Sequence, residues 1–285
     1  MSKGENRLER ATRHLFWGGI AGVLARSTTA PLDRAKLIMQ THSVFSGISL
    51  GRKPTTLEAV KMLVRQDGVL GLWKGNATNC LRVFPYNGLQ FMTFDVCKRF
   101  LHSDGEKPST EHRLIAGAIA GVVATVFTQP LDVLRVRLSV DPLSSRLSLL
   151  EAAKIAAVEG SLMRGTAAAV VSVAPFVSIN FTVYESMKIQ WEDAFNSQPR
   201  AGGHLLLGAL SIIVAQTVCY PLDTVRRRMQ MRQALELYRN SFDCAKQMIL
   251  KEGFRSLYSG MIVNILKVAP TNAIRFAIFE FLREA

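Results

Sequence analysis

The sequence predicts an all-α membrane protein with six transmembrane helices in three pseudo-threefold repeats and three short helices at one end. Three observations carry that prediction. The segment PLDRAKLIMQ at 31–40 returns as PLDVLRVRLS at 130–139 and as PLDTVRRRMQ at 221–230. Each copy closes a long apolar stretch rich in small residues: GGIAGVLARSTTA, GAIAGVVATVFTQ and GALSIIVAQTVCY. Finally, 48% hydrophobic residues coexist with a formal net charge of +13. That mixture suits a membrane protein with a polar, water-filled interior.

The elements of each repeat can be followed in order. After the first apolar helix comes a short amphipathic stretch ending in an acid and a glycine: Asp67-Gly68, Glu159-Gly160 and Glu252-Gly253. LWKGN, LMRGT and LYSGM follow. A second apolar helix then carries its own proline, Pro85, Pro175 or Pro270. It ends as aromatic-acid-x-x-base: Phe94-Asp95 with Lys98, Tyr184-Glu185 with Lys188, Phe279-Glu280 with Arg283. The repeats span 1–105, 106–196 and 197–285 and form one integrated transmembrane domain. The long helices are expected over 13–40, 76–101, 111–139, 166–190, 203–231 and 260–283. Each can cross a hydrocarbon layer of ~30 Å, which takes about 20 residues. Gly18 with Gly22, and Gly117 with Gly121, allow close helix contact. In the third repeat Gly208 is followed by Ile212, so packing must differ there. The second repeat departs at EGSLMRG, which is shorter than DGVLGLWKG and has Met163 in place of an aromatic. Its short helix and linker are expected to pack differently.

Other classes are disfavoured. Cys80, Cys97, Cys219 and Cys244 are scattered, with neither CxxC nor metal spacing, and read as reduced thiols. No metal and no cofactor are expected. There is no Walker loop, no GxSxG and no metal-spaced histidine cluster, so the chain is not read as an enzyme. A basic nucleic-acid binder would explain the pI but not six apolar segments, so no nucleic acid is expected as a partner. The N-terminus lacks the apolar core of a secretory signal and has no long extension for calcium regulation.

The charges inside the apolar helices need a reason. Asp33 and Lys36, Asp132 and Arg135, Asp223 and Arg226 each stand three residues apart. One such pair is a solvated helix end worth a few tenths of a kcal/mol. Three in membrane-length helices are different, because charge in a bilayer lines a cavity or pairs with another helix. Three equivalent helices about an axis can close a ring: Asp33–Arg135, Asp132–Arg226 and Asp223–Lys36. Pro31, Pro130 and Pro221 can bend the helices inward. The set Asp95/Lys98, Glu185/Lys188 and Glu280/Arg283 makes a second ring near the opposite face. Two rings at the ends of one cavity are two gates, and their alternation is alternating access. Arg227 and Arg228 are extra to the ring motif; they read as guides for a polyanion or a cardiolipin head group, or as snorkelling side chains.

Gates use what the repeats share; recognition uses what they do not. Equivalent positions differ at Arg26, Asn79, Arg82, Tyr86, Asn87, Ser172, Val173, Phe176, Lys267 and Arg275, the expected substrate-binding set. Repeats one and three supply cations and amides. Repeat two supplies Ser172, Val173, Phe176 and Val177, a small, apolar and aromatic wall. Arginine pairs bidentately with phosphate or carboxylate, and lysine adds a point charge. A phosphorylated nucleoside fits both halves better than a short dicarboxylate. Asn79 and Asn87 read equally well as helix–helix hydrogen-bond partners.

The P-x-D-x-x-[KR] triplicate, the E-G…[WY]-x-G element and the aromatic-acid-x-x-base triplicate resemble the mitochondrial carrier family over essentially the whole chain. The resemblance implies a single central substrate site between a matrix and a cytoplasmic salt-bridge network. It also implies a multi-pass monomer of the mitochondrial inner membrane, with both termini toward the intermembrane space and membrane lipid around it. Arg82 and Lys267 match the family's substrate contact points. Gln40 and Gln230 match its glutamine brace, a role for which Ser139 is less suited. RVFPYNGLQF and NILKVAP are similar to the adenine nucleotide and coenzyme A branch. Ser172-Val173 departs from the glycine-aliphatic pair usual there. The implied function is alternating-access transport of an adenine nucleotide or a related compound (ATP, ADP, AMP or coenzyme A); the alternative is a carboxylate or an amino acid.

Overall fold

Long helices form where the repeats place their apolar segments. The computed structural model describes residues 5–44, 54–100, 110–141, 143–268, 270, 271 and 274, and among them there is no strand. The first repeat holds α1 (Glu5–Thr41), α2 (Thr56–Asp67) and α3 (Asn76–Phe100). The second holds α4 (Thr110–Val140), α5 (Leu149–Val158) and α6 (Thr166–Phe195). The third holds α7 (Ala201–Met229), the short α8 (Ala234–Leu237), α9 (Ser241–Glu252) and α10, helical over 261–268. This is the six-span, three-repeat fold that the sequence predicts. Two helices run further than expected. α1 begins at Glu5, since ENRLERATRH has no breaker and is rich in strong helix formers. α6 continues to Phe195, where Trp191 and Phe195 pack with ring centroids 4.7 Å apart, and ends at Asn196 in the left-handed region.

Glu111–Val140, Thr166–Phe195 and Gly202–Met229 are each long and apolar enough to cross a membrane. Their outer faces leave large apolar side chains such as Phe127, Val171 and Val218 exposed. Such surface is stable against hydrocarbon and costly against water. Glycines bring helices together within the second repeat. A Cβ on Gly121 would lie 2.8 Å from Val173 Cγ1 of α6, so α4 and α6 approach through that gap. A Cβ on Gly208 would meet no neighbouring element within 4 Å. The third repeat instead meets the second by hydrogen bonding, with Ser211 Oγ donating to Asn180 Oδ1 at 2.9 Å.

The short helices start alike. Thr55 with Glu58, and Ser148 with Glu151, form capping boxes, and Asn240 accepts from the Asp243 amide. Each then has its terminal acid bound by an arginine: Arg34–Asp67, Arg137–Glu159 and Arg228–Glu252. The same arginines reach across repeats. Arg34 Nε donates to the carbonyl of Ser139, Arg137 Nε to that of Gln230, and Arg228 Nε to that of Gln40. These carbonyls lie at or beside the C-termini of α1, α4 and α7, where backbone acceptors lack helical partners. Repeat one thus holds two, two holds three, and three holds one. Arg137 and Arg228 occupy the same repeat position, where repeat one has the buried Ile38. Arg34, four residues earlier, makes the equivalent contacts. Arg228 is 1% exposed, so it neither snorkels nor meets lipid.

The glycine of each W-x-G element sits where the next repeat's helix comes closest. Gly75, Gly165 and Gly260 have φ of +77°, +82° and +80°. A Cβ there would lie 2.9 Å from the Arg135 carbonyl, 2.9 Å from that of Arg226 and 3.2 Å from that of Lys36. Only glycine combines the left-handed backbone with that contact. Proline also leaves a mark: the carbonyl of Ser27, four residues before Pro31, accepts from Trp73 Nε1 at 2.8 Å. Met163 has no donor to offer in the second repeat. That repeat does pack differently: α5 sits on its own cluster of Leu134, Leu138, Ala152 and Ala156. The larger core joins all three repeats, with Leu63 from the first, Val136, Val140 and Ala168 from the second, and Val225, Met231, Cys244 and Met248 from the third.

Two outcomes follow for stability in detergent. Gly165→Ala should cost about 2 kcal/mol or more, from left-handed strain plus the Arg226 carbonyl contact, whereas Gly202→Ala, with open space around it, should not lower the unfolding temperature. The second concerns Asp67, outside the spanning segments. Burial opposes its charge, but hydrogen bonds from Lys74 and Arg34 outweigh burial and hold the carboxyl below its ordinary value. A depressed folded value means stability present above the unfolded pKa, near 4, and lost as pH falls through the folded one. Asp67→Asn should therefore flatten the acid limb of thermal stability below about pH 5.

Candidate functional site

The helices α1, α4 and α7 converge near their prolines, and their charges meet there. Arg135 pairs with Asp33 at 3.2 Å, Arg226 with Asp132 at 2.7 Å, and Lys36 with Asp223 at 2.7 Å. These are the three contacts expected from the repeat spacing, and cation to acceptor they run in the opposite cyclic sense to the second set of arginines: two holds one, three holds two, and one holds three. A buried carboxylate is tolerated only with close cations and hydrogen bonds, and each acid has more than one. Gln40 Nε2 donates to Asp223 Oδ2 at 3.3 Å and to Thr224 Oγ1. Gln230 Nε2 donates to Asp132 Oδ2 at 2.8 Å. Ser139 Oγ turns back to the carbonyls of Arg135 and Lys74 and reaches no ring carboxylate.

Three more cations join the ring. Arg227 contacts Asp132 at 2.8 Å and Asp223 at 3.4 Å, and donates to Gln230 Oε1. It is therefore a ring member, which corrects the expectation that it stands apart from the ring motif: its guanidinium is paired with two ring carboxylates. Arg82 lies 3.4 Å from Asp132, and Lys267 lies 2.7 Å from Asp33. The floor so formed holds Lys36, Arg82, Arg135, Arg226, Arg227 and Lys267 against Asp33, Asp132 and Asp223. Six cations face three carboxylates, a surplus of three positive charges.

Over this floor lies a cavity of about 360 Å³, within the roughly 300–1,000 Å³ of small-molecule sites. Of the expected recognition residues, Tyr86, Ser172, Val173, Phe176 and Lys267 line it. Val177, Gly117 and Gly121 extend the apolar wall, and Lys36, Asp223 and Arg226 form its base. Arg82 is outside the lining, with its guanidinium 5.5 Å from the ring centroid of Tyr86, which does line the cavity. Arg26 and Asn79 are drawn into a helix–helix contact, with Arg26 Nη1 donating to Asn79 Oδ1 at 3.2 Å. Asn264 takes the same place in repeat three, accepting from Lys36 Nζ at 3.1 Å and donating to Gln216. Asn87 is half-buried and outside the lining. Arg275 lies outside the described residues.

Some floor residues escaped the sequence reading. Tyr220 packs under Lys36, with Nζ 5.1 Å from the ring centroid, and donates to the carbonyl of Ser259 at 2.9 Å. Gln129 accepts from Arg226 Nη2 at 3.1 Å. Both precede the motif proline, where repeat one has Ala30, so comparing that position would have found them.

The other end is different. Asp95 pairs with its helix neighbour Arg99 at 3.8 Å, and among the described residues no ion pair links Asp95, Lys98, Glu185 and Lys188 to one another. Glu280 and Arg283 lie outside the described residues. The floor is closed while the expected second ring is unformed across the first two repeats. No group of His, Cys, Asp and Glu among the described residues could hold a metal ion.

Three helical repeats around a polar cavity, closed at one end by a charged floor, define a class of membrane protein. The chain belongs to the mitochondrial carrier family: the family model described as mitochondrial carrier protein matches residues 8–105, 106–194 and 197–285. It is 35% identical to a thylakoid ADP,ATP carrier protein, chloroplastic, from Arabidopsis thaliana, over 94% of this chain and 64% of the relative. It is 33% identical to a mitochondrial adenyl nucleotide antiporter from Homo sapiens, over 95% of this chain and 58% of the relative. It is also 33% identical to a mitochondrial adenine nucleotide transporter from Arabidopsis thaliana, over 95% of this chain and 86% of the relative. The chain thus spans less than two thirds of the length of the first and second of these.

Charge reversal tests the ring. Asp223→Lys or Lys36→Asp alone should cost roughly 3–5 kcal/mol, because each leaves a buried charge unpaired. The double reversal should recover part of the loss by thermal unfolding, but not all, since Arg227 and Gln40 still face position 223.

Proposed function

We propose that this protein is a transporter of the mitochondrial inner membrane that carries adenine nucleotides, or related phosphorylated adenosine compounds such as coenzyme A, by alternating access. One observation carries the reading: a floor with three surplus positive charges lies beneath a cavity whose opposite wall is Ser172, Val173, Phe176 and Val177. A solute suited to it has several negative charges at one end and a flat, weakly polar body at the other. The names of the relatives, which are nucleotide carriers, antiporters and transporters, support that choice over a carboxylate or an amino acid. Arg82 and Lys267 take the anionic groups, and Phe176 and Val173 take the base.

In this reading the ring is the matrix gate and the Asp95, Glu185 and Glu280 set is the cytoplasmic one. Gln40 and Gln230 are braces of the closed matrix gate. The conformation is then the one open toward the intermembrane space. The membrane is mitochondrial because the family is, although two relatives are named chloroplastic. The protein works as a monomer, since one chain supplies all three repeats. Nothing in the site calls for a catalytic step.

Reconstitution into proteoliposomes tests this. Labelled ATP, ADP or AMP should exchange against internal nucleotide, and Arg82→Ala should lower that exchange by more than tenfold, since a charge-assisted contact of about 1.5–3 kcal/mol is lost. Exchange of dicarboxylates with no response to any nucleotide or to coenzyme A would overturn the substrate. Fractionation of tagged protein to chloroplasts would overturn the location.

A further inference from the structure

The three joints of the floor are not held equally. Asp223–Lys36 is supported from below by Gln40 and Asp132–Arg226 by Gln230. Arg227 also spans these two joints. Neither support reaches Asp33–Arg135, since position 139 is serine and its hydroxyl is spent on helix carbonyls. That carboxylate is shared instead. Arg135 holds Oδ2 at 3.2 Å and Lys267 holds Oδ1 at 2.7 Å. Lys267 comes from the last repeat, 234 residues away, and it also lines the cavity.

We infer that Lys267 is a removable brace: it locks the α1–α4 joint while the cavity is empty, and an anionic solute unlocks this joint first by drawing the ammonium off Asp33. The inference rests on reading the ring as a gate. Lysine suits the task, being a point charge on a flexible stem that can swing between two oxygen partners without a fixed geometry. A glutamine beneath the joint could not be withdrawn this way, because a solute in the cavity would not reach it. The missing third glutamine is then part of the device. Solute binding can shift the gate only by the difference in its contacts between the closed and open floors, and the Lys267–Asp33 bond is such a difference.

The test needs no nucleotide at its core. Thermal unfolding in detergent, without added solute, should place Lys267→Gln about 2 °C below the wild type for the loss of one such contact. Ser139→Gln should raise the wild type, and in the Lys267→Gln background it should restore most of the loss. It should not rescue Arg82→Gln, whose partner is Asp132. A Lys267→Gln protein as stable as the wild type would overturn the inference. So would a Ser139→Gln gain that is equal in every background, since independent sites simply add. If Lys267→Gln does not yield folded protein, Ser139→Gln alone still decides. With whichever solute the reconstituted protein exchanges, it should lower turnover about fivefold, the ratio of about 1 kcal/mol. Its half-saturating concentration should stay unchanged, because Ser139 does not line the cavity. Unchanged turnover would count against the brace. Failure of nucleotide exchange alone would touch the proposed substrate and leave the unfolding series standing.

Discussion

A carboxylate in an apolar interior demands cations, and that demand organises this molecule. Asp132 is fully buried and meets Arg82, Arg226 and Arg227 within 3.4 Å. No single helix can supply such a shell, so helices from all three repeats must converge. The rest follows from convergence. Prolines sit where the helices draw together, left-handed glycines sit where backbones meet, and a second tier of arginines ties the short helices to the ends of the long ones. The apolar exterior asks only for contact with hydrocarbon.

Symmetry and its breaking divide the work. The contacts that hold the floor repeat in one cyclic sense, each repeat supplying the cation for the one before. The exceptions stand out: Arg227 has only Leu37 and Val136 as counterparts and spans two joints, Tyr220 lines the cavity where repeat one has Ala30, and Ser139 replaces glutamine at the third joint. A strictly threefold floor would present three equal joints and a threefold surface. The extra cations tilt both, giving a basic side and a plain wall on which Gly117 and Gly121 leave room beside Val173 and Val177.

Much of this was legible in the sequence because it is written three times. The helices, their order and the three cross-repeat partners follow from position within the repeat, with no reference to composition. What escaped depends on features present once. Arg227 reads as surplus in a triplicate alignment, and only the packed geometry places it between two carboxylates. Arg34 stands four residues from where its counterparts stand, so alignment hides an interaction that reach restores. Arg26 on α1 reads as recognition, while Asn79 on α3 reads equally well as a helix–helix partner. The structure joins the two across those helices, Arg26 Nη1 donating to Asn79 Oδ1.

The cyclic order of the floor also dictates a sequence of events in time. Lys36 finds its carboxylate 187 residues further along the chain. A growing polypeptide can make the Asp33–Arg135 contact once two repeats exist, and Asp132–Arg226 when α7 is inserted. Lys36 must wait for that same helix, so the circle shuts only when synthesis is close to complete. A first helix inserted before α7 would carry that lysine into the bilayer without its partner, at the cost of snorkelling or local water. Biogenesis of such a chain is a problem of keeping an early charge solvated until a late one arrives.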